Sequence, residues 1–227
     1  MKTHLHLAAF IFLFASCSKE INTLPTNASA KDAINSNIST NTYLPLTKNT
    51  YWNYKVTTES NQPESSSLKV TGRQKIINGK NYSQVKSVTG KDTSIIYYSQ
   101  VQHDYYIYTN TATTDADNVN LEILFLEDDV AVGNSWITNA GDANGFNLKC
   151  YGKIIEKNIT LTISGVVYKN VIHTYVEIRK PFFFTYIVVD KQDFYTAENI
   201  GIIKNVSDIL LPTNSTSTTL ITDYRIK

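Results

Sequence analysis

Residues 66–89 read SSLKVTGRQKIINGKNYSQVKSVT. Two runs rich in Val, Ile, Tyr, Ser and Thr flank Asn78-Gly79, and no helical period runs through either. Asn-Gly is the pair best suited to a type I′ hairpin, because both central residues must take positive φ. The spacing therefore predicts a strand, a two-residue turn and a return strand.

Outward from this hairpin the pattern repeats. YWNYKVTT (51–58) alternates and breaks at Asn61-Gln62-Pro63-Glu64. After it come DTSIIYYSQVQ, DYYIYTN, NLEILFLED, NLKCYGKIIEKN, ITLTIS, VVYKNVIHTYVEI, FFFTYIVVD, IGIIKNV and STTLITDYRI. Short strand-like runs with turn residues every 8–14 positions indicate antiparallel meanders rather than βαβ units. No segment carries a sustained i, i+3, i+4, i+7 apolar stripe. NVNLEILFLEDD is the one run that also suits a short helix, and its surroundings favour strand. The expected fold class is all-β: an antiparallel meander curved into an open barrel or folded into a two-layer sandwich.

Three echoes suggest two similar halves of about 85 residues, 43–125 and 126–227. Ile77 to Val85 (INGKNYSQV) and Ile163 to Val171 (ISGVVYKNV) lie 86 apart. Trp52 and Trp136 lie 84 apart, and Asp104-Tyr105-Tyr106 and Asp193-Phe194-Tyr195 lie 89 apart. Such a repeat speaks of architecture and not of chemistry. Aromatic side chains are abundant, at 15 Tyr, 9 Phe and 2 Trp. Neighbours such as Tyr97-Tyr98, Tyr105-Tyr106 and Phe182-Phe183-Phe184 must face opposite sides of a strand. Both faces of those strands are then partly aromatic. That suits a strand covered on both sides, a curved sheet lining an apolar cavity, or an exposed strip that stacks on sugars.

The N-terminal segment has a different character. Leu5 to Phe14 is a ten-residue apolar run behind Lys2. It is too short for a spanning helix, which takes about 20 residues, and it suits the apolar region of a signal peptide. Leu13-Phe14-Ala15-Ser16-Cys17 resembles the lipobox of bacterial lipoproteins, with Phe14 where Leu is usual. That resemblance implies cleavage after residue 16 and acyl chains on Cys17, so that the chain is held to a membrane. Residues 18–42 hold 13 Asn, Ser and Thr among 25, too polar to bury a core of their own, and read as a tether. The expected organisation is thus a signal peptide over 1–16, a lipidated Cys17 and tether over 17–42, and a single domain over 43–227.

YLPLTKNTYWNYKV, INGKNY, DDVAVGNSW, VVYKNVI and NIGIIK together resemble a family of Bacteroidota lipoproteins with a lipobox, a polar linker and an all-β domain. In that family the domain opens on PL…G..W.Y and has a late GIIK strand. Here Asn49 stands where glycine is common. The resemblance covers most of residues 43–206, implies an antiparallel β domain curved into an open barrel or sandwich, and implies no enzyme activity; the lipid-anchored chain is expected at the outer membrane, on its periplasmic face or at the cell surface. It brings no site residues. A fainter similarity, in architecture alone, is to lipoprotein carriers that hold acyl chains in a half-barrel.

The residues offer little chemistry of their own. Without Lys2 the basic and acidic side chains balance at 20 each, which gives no basic patch for nucleic acid. Cys150, left without a partner once Cys17 is lipidated, reads as a small buried hydrophobe. His103 and His173 sit in strand-like runs without metal-ligand spacing, and read as structural or surface residues. Asp115 to Asn120 (DADNVN) lacks the glycine and terminal acid of a calcium loop, and Gly141 to Gly145 (GDANG) is weaker still. No phosphate loop or G-x-S-x-G elbow occurs. No cofactor, metal site or catalytic residue is expected. The expected function is a non-catalytic module that binds an apolar ligand, a glycan or an envelope protein. The alternative is an assembly component of an outer-membrane complex, and a hydrolase is the distant third.

Overall fold

The computed structural model describes residues 41–59, 62–113, 117–143, 145–211 and 214–227, with the side chains of 111–118 left aside. The signal peptide, Cys17 and nearly all of the tether lie outside the described residues.

The chain forms twelve strands: β1 (Tyr51–Thr58), β2 (Glu64–Ile77), β3 (Lys80–Thr89), β4 (Asp92–Val101), β5 (Asp104–Thr113), β6 (Asp117–Glu127), β7 (Ser135–Ala143), β8 (Phe146–Ile163), β9 (Val166–Phe182), β10 (Thr185–Ala197), β11 (Gly201–Ile209) and β12 (Ser215–Arg225). Each pairs antiparallel with the next, and β1 pairs with β12, so the meander closes into a barrel. Closure removes the exposed edges that an open barrel or sandwich would have to protect. Every described strand lies within residues 41–227, and the ladder closes among them without any other segment.

The local reasons are those of the sequence. Asn78 and Gly79 take φ of 50° and 77°, and Ser164 and Gly165 take 51° and 82°, so the two echoed hairpins share one turn geometry. They join β2 to β3 and β8 to β9, six strands apart, and Trp52 and Trp136 fall on β1 and β7. Asp104 opens β5 whereas Asp193 lies inside β10, so the third echo does not keep that spacing. Asn49 takes φ of 69°, the left-handed conformation that a glycine would supply there, and the Thr50 N–H closes the turn on the Thr47 carbonyl at 3.0 Å.

Alternation puts Tyr54, Val56, Leu68, Val85, Tyr98, Ile107 and Ile154 inside, while Lys55, Lys69 and Lys86 face water. Apolar-in and polar-out is the reverse of a membrane-spanning barrel wall. Phe125 of β6 meets Phe194 of β10 across the interior, with ring centroids 5.3 Å apart. The ladder is thinnest at β6–β7, which pair only over Val119–Leu121 and Gly141–Ala143. Beyond that point the Trp136 indole occupies the gap and donates its N–H to the Leu124 carbonyl at 3.1 Å.

One end of the barrel is closed by a strap, residues 41–50. Leu44 and Pro45 are buried there, and Tyr43 stands edge-on to Tyr105 at 6.2 Å. The Asn199 N–H donates to the Thr42 carbonyl at 2.6 Å, and the Thr42 hydroxyl donates to Gln100 at 2.7 Å. The opposite end carries the β1–β2, β3–β4, β5–β6, β7–β8, β9–β10 and β11–β12 hairpins. Here the structure corrects the reading of FFFTYIVVD as one strand. Phe182 ends β9, and Phe183 and Phe184 form the turn, with Phe183 at φ 51°.

Candidate functional site

Strand register decides which polar side chains end up inside. Thr58, Ser217, Ser207 and Gln192 are consecutive cross-strand partners on β1, β12, β11 and β10. One row nearer the strap, Thr219, Asn205, Phe194 and Thr174 are partners on β12, β11, β10 and β9. Asp190 precedes Gln192 by one pleat, toward the hairpin end. The interior is therefore graded, with Trp52, Leu68, Phe125 and Ile203 on the strap side and hydroxyls, amides and an acid toward the hairpins.

The polar group is bonded to itself. Gln192 Nε2 donates to Asp190 Oδ2 at 2.6 Å, Ser207 Oγ donates to Asp190 Oδ1 at 3.3 Å, and Asn205 Nδ2 donates to Gln192 Oε1 at 3.3 Å. Exposure is 1% at Gln192 and Asn205 and rises to 7% at Asp190. Burial lifts the Asp190 carboxyl to about 7, against the opposing pull of the Gln192 and Ser207 hydrogen bonds. Near neutrality this one group changes from an O–H donor to a charged acceptor.

In these rows the hydroxyls of Thr58, Thr174 and Thr219 are buried without a partner among the described residues, and those of Thr196 on β10, Thr138 on β7 and Tyr98 on β4, which lie outside the rows, are likewise unpaired. A buried hydroxyl without a hydrogen bond costs about 1–3 kcal/mol. Buried polar groups are nearly always paired, so each of these hydroxyls is a place where a further hydrogen-bonding group would be accepted.

The residues singled out in the sequence lie elsewhere. Cys150 is buried in the wall, with its thiol 3.6 Å from the Leu124 carbonyl. Burial pushes that thiol up to about 12, which leaves it unreactive. His173 faces outward on β9. Its Nε2 is 2.6 Å from Asp193 Oδ1, its Nδ1 is 3.3 Å from Glu156 Oε2, and its ring stacks on Tyr195 at 4.2 Å. Both nitrogens are engaged, so the residue staples three strands.

His103 lies in the β4–β5 turn rather than in a strand, and meets Asp128 of the β6–β7 loop, Nδ1 to Oδ1, at 2.5 Å. The Tyr105 hydroxyl donates to the other Asp128 oxygen at 2.5 Å. Donor atoms of His103, Asp128 and Asp129 lie within 4.8 Å of one another. Both Asp128 oxygens are already used, however, and the hydrogen bond to Asp128, with its charge, raises the His103 pKa. Of DADNVN, Asp115 and Ala116 lie outside the described residues. In GDANG, Asp142 Oδ1 accepts from the Gly145 N–H at 3.0 Å, as an ordinary turn does.

No family model and no curated protein matches the chain. Among solved structures it is similar to a Bacteroides fragilis protein assigned as exported, with a YmcC-like fold. The identity is 8% over 80% of this chain and 97% of that one, with a TM-score of 0.48. It is also similar to a Parabacteroides distasonis protein assigned as a lipoprotein, at 9% identity over 81% and 98%, with a TM-score of 0.48. Likeness at this level carries no site residue from either protein to this one.

Proposed function

We propose that the protein is an exported, non-catalytic ligand-binding barrel, held at the outer membrane by acyl chains on Cys17, and that its ligand is a small hydroxyl-rich molecule of the carbohydrate class. The observation that carries this reading is the buried group of Asp190, Gln192, Asn205 and Ser207, bordered by hydroxyls without partners. An acid, two amides and the neighbouring hydroxyls are donors and acceptors suited to a polyol. An apolar ligand would leave these groups unpaired, so the polar rows favour the glycan among the expected ligands. Asp190 is the single buried carboxylate among the described residues. Glycoside hydrolysis ordinarily uses a pair of carboxylates flanking the scissile bond, which favours binding over turnover.

The test is a titration of the protein with neutral and N-acetylated mono- and disaccharides, read on the side-chain amide resonances of Gln192 and Asn205. At least one sugar should shift both resonances saturably, and Asn205→Leu should abolish the response. If no sugar shifts them at tens of millimolar while a fatty acid does, the polyol reading is wrong.

A further inference from the structure

The β9–β10 hairpin does not end with the barrel. The ladder of β9 with β8 reaches Arg179, and that of β10 with β11 begins at Asp190. Between them Phe182 pairs with Thr185, Pro181 with Tyr186, Lys180 with Ile187 and Arg179 with Val188, so this segment stands out as a two-stranded finger. Its tip is aromatic. Phe183 is 87% exposed and Phe184 fully so, with Phe182 and Tyr186 about half exposed. The neighbouring tips add Phe146, beside β7–β8, and Leu211, beside β11–β12, each 42% exposed.

From the structure we infer that this finger inserts its aromatic tip into the surface of a phospholipid bilayer. A protruding tip of three consecutive phenylalanines has no concavity to receive a protein knob. Burying each such ring removes a large apolar area from water, and the half-exposed Tyr186 is of the residue type enriched at the headgroup level. The charge pattern points the same way. Arg179 and Lys180 stand at the root of the tip, and no carboxylate occurs between Glu177 and Asp190. The Lys180 ammonium lies 3.8 Å from the Phe146 ring centroid, a cation held beside the apolar surface where a lipid phosphate would meet it. The finger itself thus carries two cations and no acid, which suits an anionic bilayer surface.

The tether is compatible with this orientation. Asn41 lies 24 positions beyond Cys17, and an extended chain of that length spans about 80 Å. The 17 residues of β9 extend over about 56 Å at most. Insertion of the finger does not depend on lipidation of Cys17.

The test uses the chain from Ser18 onward, which contains the whole strap and barrel and lacks the lipid. It is sedimented with vesicles of phosphatidylethanolamine and phosphatidylglycerol. The chain should bind, and Phe183→Ser with Phe184→Ser should weaken binding at least tenfold with an unchanged melting curve. A second variant, Phe184→Trp, reports depth: its emission should shift to the blue and be quenched by brominated lipid, whereas buried Trp52 and Trp136 are not. Absence of vesicle binding, binding that survives the double serine variant, or a dimer that the variant dissolves would each overturn the proposal.

Discussion

Replacing Asp190 by asparagine keeps the shape of the polar cluster and removes its one titrating group. The native carboxyl, buried beside Gln192 and Ser207, titrates near 7 instead of 3.8. In the unfolded chain it ionises first, so from about pH 4 to 7 the unfolded state binds fewer protons than the native state. Stability therefore falls as pH rises through that window and levels off above it. A shift of this size is worth at most about 4 kcal/mol in full, and about 2–3 kcal/mol of it falls between pH 5 and pH 8. The other acids titrate alike in both proteins, so the informative quantity is the difference between wild type and Asp190→Asn. Urea unfolding at half-unit steps from pH 5 to 8.5 measures it. The asparagine variant should gain on the wild type by about 2–3 kcal/mol across that range, with the change centred between pH 5 and 7. A difference that stays flat would show that Asp190 is solvated in the native state, and the buried polar rows would then be wrongly assigned.

Other consequences are simpler to check. A Cβ at Gly152 would lie 2.1 Å from Cε2 of the Trp136 indole, so Gly152→Ala must displace the ring from its bond to the Leu124 carbonyl. Overpacking and the lost bond together should cost about 2–4 kcal/mol, and a thermal melt unchanged by the substitution would refute the contact. The Cys150 thiol should ignore an aromatic disulfide reagent in the native protein and react at once in denaturant, since burial both covers it and raises its pKa to about 12. His103 should titrate above 6.5 by NMR, and Asp128→Asn should bring it down by removing the hydrogen bond and charge that hold it up. Cys17→Ala should end incorporation of labelled fatty acid into the protein in the cell, and continued labelling would place the lipid elsewhere.

Local chemistry was legible in the sequence and long-range geometry was not. Asn78-Gly79 needs positive φ at both positions whatever surrounds it, so its hairpin could be read directly, as could the alternation of YWNYKVTT. Closure through β1 and β12 joins Tyr51 to Arg225, and no local pattern announces it. The histidine partners are hidden for the same reason: Asp128 is 25 residues from His103, and Asp193 is 20 from His173. The β10 sequence VVDKQDFYTA offers polar residues on both faces, so alternation alone does not say whether Asp190 and Gln192 or Lys191 and Asp193 point inward. Register decides it, because Phe194 of the first set reaches Phe125 across the barrel. Phe182-Phe183-Phe184 misled for the opposite reason. Three aromatic β-formers argue for strand, yet Phe183 occupies a left-handed turn position that such residues seldom take.

The finger and the polar rows are also adjacent in the chain. Val188 still pairs with Arg179 in the finger, and Asp190 two residues later is the first β10 position bound on both sides. The register between β9 and β10 slips between those two residues, and the Leu210 and Leu211 N–H groups both reach back to the Val189 carbonyl there. A force on the aromatic tip thus meets the barrel at the residue next to its buried acid. Binding of the tip to a bilayer would restrain that junction, and ligand binding at Asp190 would restrain it from inside. Two events that order one segment favour each other, because the second need not repeat the ordering of the first. Sugar titrations with and without vesicles should therefore differ in apparent affinity, and the difference should vanish in the Phe183→Ser, Phe184→Ser protein. Equal affinities in both would mean that the barrel wall isolates its interior from the finger.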